Sequence, residues 1–295
     1  MTIKEFIKLF VPPIIVKIKD KLVRKKNVEL MSSPLPQIEH HSEKMVIIGN
    51  GPSLNQSVEK YKDIIKSNDC IAVNYFALTS LYENLKPSFY ALADPAFFSE
   101  DSEFRLSVQE LSNKLFENTV WSMSLIVPRS SLNSRFIHKI RANNNITILP
   151  YNNIFSLPSN TNLYDAWDKN LVAPPAQTVL NLCVYVSLYW GYKETYLIGA
   201  DTSFLTNLRI DQSNNKLYSI ESHFYNNDDI YKDDDLFDET KKHFLNDPIW
   251  YELQCIAKAF KAYSELQDYA DYKHLKVYNA SEYSWIDAFE RKKLK

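Results

Sequence analysis

The feature that most constrains this chain is Ile47-Ile48-Gly49-Asn50-Gly51-Pro52-Ser53-Leu54, which places two glycines directly after an apolar run. The 295 residues include only four glycines, far below the roughly 7% of average usage. Glycine takes positive φ and lets a backbone or a ligand approach without a Cβ clash. Pro52 and Ser53 are residues that favour the start of a helix. The segment therefore predicts a strand, a nucleotide-binding turn and a helix at the edge of a parallel sheet.

Short apolar strands alternate with helices along the rest of the chain. The predicted strands are residues 45–48, 70–73, 89–93, 122–127, 146–149, 195–198 and 275–278. The predicted helices are residues 56–66, 102–116, 131–140, 178–190 and 250–269. This alternation is typical of a doubly wound, mostly parallel α/β sheet with helices on both faces. We therefore expect one Rossmann-like domain over residues 45–295.

Polar residues follow several of the predicted strands. Asn74 follows the second strand, Asp94 the third, and Gly199 with Asp201 the sixth. Each residue alone is common in turns. Because ligands of such sheets bind beyond the carboxyl ends of the strands, we expect these residues to meet residues 49–53 in one site.

Residues 202–248 form a long polar segment rich in Asn and Asp. A segment of this length is typical of a lid or a binding loop, and its place after Asp201 predicts a lid over the ligand edge. His223 lies within it beside aromatic residues, and a histidine that titrates near neutrality can take a proton from an acceptor hydroxyl. An exposed histidine without a catalytic role is the alternative. The acidic run at 228–235 is interpreted as solvated surface, so no metal site is expected.

Residues 1–26 are basic and amphipathic, with eight Lys or Arg against two acidic residues. They contain no apolar run of the roughly 20 residues that a transmembrane helix needs. The pattern favours a segment that lies on the inner face of the cytoplasmic membrane, with a solvated helix packed on its own domain as the alternative. Residues 27–44 are predicted to be a linker.

Charge and cysteine content exclude some classes of protein. The remainder of the chain holds 26 basic and 34 acidic residues, which argues against a nucleic-acid partner. Cys70, Cys183 and Cys255 are odd in number and far apart, which argues against a disulfide framework or a zinc site. The pattern favours a reducing compartment, here the cytoplasm.

Several sequence blocks resemble the bacterial sialyltransferases of glycosyltransferase family 42 and related proteins of polysaccharide gene clusters. The blocks are residues 46–54, Asn74-Tyr75-Phe76, Asp94-Pro95-Ala96-Phe97-Phe98, residues 191–201, and residues 275–278 with Ser284. The resemblance implies a single-domain, GT-A-like fold and a CMP-activated nonulosonic acid as donor. It also implies a metal-independent, inverting transfer to a hydroxyl of a bacterial surface glycan such as lipopolysaccharide or capsule, without a cofactor.

The resemblance further implies roles for individual residues. Those expected to contact the donor nucleotide are Gly49, Asn50, Gly51, Pro52, Ser53, Asn74, Thr178, Gly199 and Asp201. Asp94, Tyr218 and Tyr225 would line the cleft, and His223 would be the general base. The chain departs from the family at residues 174–176, where Pro-Pro-Ala replaces an arginine-containing stretch.

Other functions stay open. Pterin pyrophosphokinase-like enzymes and flagellar glycosylation factors have a similar Gly-x-Gly-Pro-Ser-Leu turn and Gly-x-Asp turn, and an ATP-using kinase would need magnesium. A non-catalytic scaffold in glycan assembly would keep the fold but would not bind the donor. The absence of the family's arginine at residues 174–176 is the reason to consider this alternative. The donor sugar, the acceptor and homo-oligomerisation are not determined by the sequence.

Overall fold

A computed structural model describes residues 33–99, 105–153, 162–174, 177–220 and 243–295. Its main sheet has eight strands, and every pairing within it is parallel. In sheet order they are β11 (Glu290–Arg291), β10 (Lys276–Asn279), β6 (Glu194–Ile198), β1 (Lys44–Ile48), β2 (Asp69–Val73), β3 (Phe89–Ala91), β4 (Met123–Pro128) and β5 (Ile146–Tyr151). The predicted α/β class and all seven predicted strands are confirmed.

A small antiparallel sheet lies within the segment predicted as a lid. Its order is β7 (Leu208–Asp211), β8 (Lys216–Ser219) and β9 (His243–Phe244). The turn between β7 and β8 uses Asn215 in the left-handed region, with φ of 56°, a conformation that Asn tolerates. The described part of this segment is therefore partly regular structure.

The helices described by the structure cover both faces of the main sheet. They are α1 (Leu54–Lys66), α2 (Ser80–Leu85), α3 (Leu106–Asn118), α4 (Arg135–Ile140), α5 (Leu163–Asp168), α6 (Val179–Trp190), α7 (Phe204–Asn207) and α8 (Ile249–Tyr272). Helix α4 begins four residues later than predicted, because a 3₁₀ turn at Arg129–Ser131 and a capping serine at position 134 precede it. All five predicted helices are present.

Two apolar cores flank the sheet because successive strand residues point to opposite faces. Val46 and Ile48 face the core formed with α1 to α4, while Met45 and Ile47 face the core formed with α5, α6 and α8. Helix α6 is buried on nearly every side between the sheet and α8, as its apolar sequence predicts. The sheet is thus the middle layer of three.

The strand order contains one reversal. The chain runs outward from β1 to β5 and then returns to place β6 on the other side of β1. The reversal lies between β1 and β6, and open α/β sheets bind ligands beyond the carboxyl ends of strands at such a point. Both predicted glycine turns leave the sheet at this position.

Residues 33–43, called here the N-terminal strap, pack onto the domain. The side chain of Leu35 is 1% exposed, and its N–H donates to Asn170 Oδ1 at 2.8 Å. The Tyr189 hydroxyl donates to the Leu35 carbonyl at 2.8 Å, and Trp190 Nε1 donates to the Pro36 carbonyl at 2.9 Å. The described part of the predicted linker is therefore held by side chains of the domain.

The N-terminal strap runs from one edge of the sheet to the other. Near its start, Arg129, which follows β4, donates to the Ser33 carbonyl at 2.5 Å. Near its end, the His41 N–H donates to Asp69, the first residue of β2, at 2.9 Å. The strap thus begins at the carboxyl edge and ends at the amino edge.

Within the described ranges, the helices lack the combination of length and apolar character that a membrane crossing needs. Residues 1–26, the predicted membrane-associating segment, lie outside these ranges.

Candidate functional site

The turn after β1 (residues 49–53, the first turn) packs directly against the turn after β6 (residues 199–201, the second turn). The Gly51 N–H donates to the Gly199 carbonyl at 2.8 Å. A Cβ on Gly49 would come within 2.4 Å of that same carbonyl oxygen. Glycine is therefore required here because two backbone segments approach each other closely.

Asp201 joins the second turn to the start of α1. Its carboxylate accepts the Ser53 N–H at 3.0 Å and the Ser53 hydroxyl at 2.5 Å. Burial raises the pKa of Asp201, and the bonds from Ser53 oppose that shift. A Cβ on Gly51 would lie 2.4 Å from the same carboxylate. The Asp201 carboxylate thus occupies the N-terminal end of α1, where phosphates bind in many nucleotide sites.

This geometry gives the glycines and Ser53 a different role from the one expected from the sequence. From the sequence, Ser53 is expected to favour the start of α1 and to contact the donor nucleotide. In the structure its side chain makes no capping bond and donates to Asp201 instead. The N–H groups of Gly49 and Gly51 bind carbonyls of the second turn and of β6. These donors hold two turns together, so a phosphate would have to displace a protein partner to use them.

Asn50 and Asn74 lie at adjacent strand ends. Asn50 Nδ2 donates to the Val73 carbonyl at 3.1 Å, which ties the first turn to the end of β2. Asn74 adopts a left-handed backbone with φ of 50°, and its carbonyl accepts the Tyr90 hydroxyl at 2.5 Å. The Asn74 Oδ1 atom is buried and accepts no hydrogen bond from the described residues. The acceptor capacity of this side chain is therefore unused within the described part of the chain.

Asp94 follows β3 at the same edge of the sheet. It is exposed and caps the 3₁₀ turn Pro95–Phe97, where its carboxylate accepts the Ala96 N–H at 2.8 Å. The Phe97 ring packs edge-on against Tyr75 with centroids 5.3 Å apart. This contact joins the Asp94 block to the Asn74 block.

The segment after β10 fixes the second turn from its other side. Ser281 Oγ accepts the Ala200 N–H at 2.9 Å, and the Ser284 hydroxyl donates to the Ala200 carbonyl at 2.6 Å. The Trp285 N–H donates to the Asp201 carbonyl at 2.9 Å. Five sequence blocks therefore meet at the carboxyl ends of β1, β2, β3, β6 and β10, in what we call the carboxyl-edge site.

Thr178, Thr202 and Tyr263 form a group of hydroxyls beside this site. Thr178 caps α6 through a capping box with Asn181, and its Oγ1 lies 3.1 Å from the Tyr263 hydroxyl. Burial raises the pKa of Tyr263 to about 12. The capping bonds already engage the Thr178 side chain, so its first role is to begin α6.

Thr202 is a residue that the sequence reasoning missed. Its φ of 51° is unusual for a β-branched side chain, and such strain concentrates at functional sites and hinges. Its buried hydroxyl lies near the Tyr263 hydroxyl without the geometry of a hydrogen bond. No sequence signal marks a threonine that takes positive φ, so only the structure identifies this position.

Three of the predicted site residues belong to the predicted lid. Tyr218 lies half-buried on β8, where it pairs with Arg209 of β7. His223 and Tyr225 lie outside the described residues. The structure therefore brings together the residues of the two turns, Asn74 and Thr178, and leaves the two lid residues without a described position.

Metal-binding and thiol chemistry have little support among the described residues. Within the ranges given above, His, Cys, Asp and Glu do not gather in groups of three or more that could hold a metal ion. The acidic run at 228–235 lies outside those ranges. Burial raises the pKa of Cys70 to about 12 and also raises that of Cys183, so neither thiol is activated as a nucleophile.

A cavity lies at the opposite, amino edge of the sheet. Its lining includes His41, Lys66, Asp69, Lys86 and Ser88. The Asp69 carboxylate accepts the His41 N–H, the Ser88 hydroxyl and the Tyr192 hydroxyl. These bonds fix the end of the N-terminal strap and the start of β2, which is a structural role.

Comparisons with known proteins add a distant structural likeness to these observations. No protein-family model matches the chain, and no curated protein matches it. The chain is similar to the solved structure of MAf glycosyltransferase from Magnetospirillum magneticum AMB-1, with 15% sequence identity and a TM-score of 0.48. The similarity covers 90% of this chain and 37% of that protein, so the chain spans little more than a third of its length. The class of the protein, a Rossmann-like α/β domain, follows from its own strand order and parallel pairings.

Proposed function

We propose that the protein is a glycosyltransferase that binds a nucleotide-activated sugar at the carboxyl-edge site. The observation that carries the proposal is the meeting of five separate sequence blocks at the carboxyl edge of the sheet, around the reversal between β1 and β6. Those blocks contact one another through the bonds Gly51 to Gly199, Asn50 to Val73 and Ser284 to Ala200. They are the same blocks that resemble the glycosyltransferase family 42 sequences, and they lie where α/β sheets bind nucleotides.

The donor we propose is a CMP-activated nonulosonic acid, and the acceptor is a hydroxyl of a bacterial surface glycan. Asn50 and Asn74 would contact the cytidine part beside the first turn. Because Ser53 already binds Asp201, the phosphate would be held from the lid side, for which Tyr218 and Tyr225 are the candidates. Asp94 would line the outer part of the cleft.

The reaction would be a single displacement at the anomeric carbon. The acceptor oxygen bonds to that carbon as the glycosyl–phosphate bond breaks, and CMP leaves with the electron pair. His223 would take the proton of the acceptor hydroxyl. A lid that excludes water would protect the oxocarbenium-like centre from hydrolysis. Attack opposite the leaving group inverts the anomeric configuration, and no metal or cofactor enters this scheme.

We also propose that residues 1–26 hold the protein to the inner face of the cytoplasmic membrane. Their eight basic residues would contact anionic headgroups, and the interleaved apolar residues would enter the interface. This arrangement would keep the enzyme near glycans that are built at the membrane.

Binding of CMP, UDP and ATP to the full chain, with and without magnesium, tests the proposed function. We expect CMP to bind in the presence of a chelator, and Asn74→Ala to weaken that binding about tenfold through loss of a direct contact. Ser67→Ala, at the exposed far end of α1, is the matched control and should leave it unchanged. Magnesium-dependent ATP binding would instead indicate a pterin kinase-like or related nucleotide enzyme.

A non-catalytic scaffold is the second candidate, and two observations favour it. The Ser53 donors and the Gly51 N–H are engaged within the protein, and residues 174–176 lack the arginine of the resembling family. A scaffold of this kind would bind none of the three nucleotides. The same binding experiment therefore separates it from the transferase.

A further inference from the structure

Three hydroxyl groups lie together where α6 and α8 meet the second turn. Thr202 directly follows this turn, Thr178 caps α6, and Tyr263 lies on α8. Tyr263 is fully buried and Thr202 is 7% exposed. Thr178 and Ser203 are half-buried, so the group lies just below the surface at the carboxyl edge.

The direction of the hydrogen bonds in this group follows from the burial of Tyr263. Its hydroxyl proton needs an acceptor because an unpaired buried hydroxyl is costly. The acceptor within reach among the described residues is Thr178 Oγ1, at 3.1 Å. The Thr178 hydroxyl in turn donates to Asn181 Oδ1 at 3.3 Å, and Asn181 Nδ2 donates to the Ala259 carbonyl at 3.4 Å. The bonds therefore all run from Tyr263 toward Asn181 and beyond it.

This order leaves two hydrogen-bonding positions unfilled at the other end of the group. The Tyr263 oxygen has donated its proton and keeps a lone pair for a further donor. The Thr202 hydroxyl is buried and makes no hydrogen bond with the described residues. It lies near the Tyr263 hydroxyl, but without the geometry of a hydrogen bond. Within the described structure, a free donor on Thr202 thus lies beside a free acceptor on Tyr263.

The chemistry of these two positions selects one kind of ligand group. A group that binds both must accept a hydrogen bond from Thr202 and donate one to Tyr263. A hydroxyl can do both, whereas an ionised phosphate or carboxylate oxygen only accepts and an amide N–H only donates. The pair therefore favours an alcohol hydroxyl of a ligand over its charged groups.

We propose that Thr202 and Tyr263 bind a sugar hydroxyl of the molecule held at the carboxyl-edge site. This inference rests on the proposed function, in which that molecule is a CMP-activated sugar. The hydroxyl belongs either to the ribose of the nucleotide or to the transferred sugar. Thr202 directly follows Asp201, whose carboxylate binds Ser53 of the first turn, so the pair lies beside both turns of the site.

The cost of Thr202 to the folded protein supports a role in binding. A β-branched residue is strained at its φ of 51°, and a buried hydroxyl without a partner adds a further penalty. Neither feature contributes to stability. A ligand that accepts the Thr202 proton removes the second penalty.

Urea unfolding of the ligand-free protein tests whether the Thr202 hydroxyl is unpaired. Thr202→Val removes the hydroxyl and keeps the branched shape, so the urea midpoint should stay the same or rise. Thr195→Val makes the same change at a buried threonine of β6 whose hydroxyl is bonded to Ser187, so its midpoint should fall. A fall of equal size in both variants would show that Thr202 is bonded within the protein, which overturns the proposal.

Isothermal titration calorimetry of the full chain tests the ligand. The probes are CMP, 2′-deoxy-CMP, 3′-deoxy-CMP and CMP-N-acetylneuraminate. Thr202→Val should bind CMP about tenfold more weakly than the wild type, and should bind the analogue that lacks the recognised hydroxyl as the wild type does. Thr202→Ser should recover most of the lost affinity, and Thr195→Val should bind every probe like the wild type. A tenfold loss with CMP-N-acetylneuraminate alone would assign the hydroxyl to the transferred sugar.

Equal affinities of the wild type and Thr202→Val for CMP and for CMP-N-acetylneuraminate would overturn this inference and leave the proposed function standing. That result would indicate that a water molecule fills the position. If the wild type bound none of the probes, the proposed function would fail, and the ligand assigned to Thr202 would fail with it. Binding by the wild type therefore distinguishes the two failures.

Discussion

At the scale of single residues, the Ser53–Asp201 pair is the centre of the structure. It joins positions that are 148 residues apart in the chain, and it places a carboxylate at the N-terminal end of α1, where the helix dipole favours negative charge. The pair therefore stabilises both turns of the carboxyl-edge site at once.

Ser53→Ala should lower the free energy of unfolding by about 1.5–3 kcal/mol, the range for a hydrogen bond to a charged group. Urea unfolding measures this change. Ser67→Ala, at the exposed C-terminal end of the same helix, should cost no more than about 0.5 kcal/mol. Equal costs for the two variants would show that the Ser53 hydroxyl does not hold the turns together.

The raised pKa of Asp201 predicts a pH dependence of stability. Because burial lifts the pKa above its ordinary value of 3.8, the folded state binds this proton more tightly than the unfolded state. The contribution of the protonated Asp201 carboxyl to the free energy of unfolding is complete below the ordinary pKa of this group. It is lost as the pH rises through the raised pKa of the folded state. The free energy of unfolding of the wild type relative to Asp201→Asn should therefore fall over that interval. A difference that grows with pH would show that the Ser53 bonds outweigh burial.

His223→Ala tests the proposed base. We expect the variant to lose most sugar transfer, measured by mass spectrometry of the acceptor, because the acceptor hydroxyl would lose the group proposed to take its proton. Its affinity for CMP should stay near the wild-type value. His138→Ala changes an exposed histidine on α4 and should leave transfer intact. Unchanged turnover of the His223 variant would exclude this residue as the base.

Residue roles were only partly predictable from the sequence. The rarity of glycine locates the two turns, but the reason for each glycine is a partner more than 140 residues away, which local patterns do not contain. The sequence identifies Asp201 as a turn residue, but it does not reveal the hydrogen bond between Asp201 and Ser53. Thr202 gives no signal at all, because its positive φ is imposed by the surrounding structure.

At the scale of secondary-structure elements, the sequence predicted the helices and strands whose apolar residues follow a clear pattern. The strands and α6 are apolar over their whole length because both faces are covered, so runs such as Cys70 to Val73 are easily recognised. The β7–β8 hairpin was missed because its alternation is short and interrupted by charged residues. The N-terminal strap was missed because its prolines suggest a linker, while its anchor, Leu35, is a single apolar residue.

The strap should contribute measurably to stability. Leu35→Ala empties a fully buried position and should cost about 2–5 kcal/mol in the free energy of unfolding. Glu39→Ala changes an exposed residue of the same strap and should cost less than about 0.5 kcal/mol. Chemical denaturation of the two variants measures both values, and similar small costs would mean that the strap is not part of the folded unit.

At the scale of the whole molecule, the two edges of the sheet have different characters. The carboxyl edge gathers the two turns together with Asn74 and Thr202, which both have a positive φ. The amino edge holds the Asp69 network, which is satisfied by partners within the protein. This division follows from the parallel order of the strands, which brings all βα turns to one side.

Hydrogen–deuterium exchange of the full chain with and without CMP tests most directly whether the nucleotide binds at the carboxyl edge. We expect CMP to slow exchange in peptides covering residues 49–54, 72–78 and 198–203. Peptides covering residues 65–70 and 84–88, beside the amino-edge cavity, should exchange at unchanged rates. Protection of the amino-edge peptides alone, or no protection anywhere at saturating CMP, would contradict the assignment of the carboxyl-edge site.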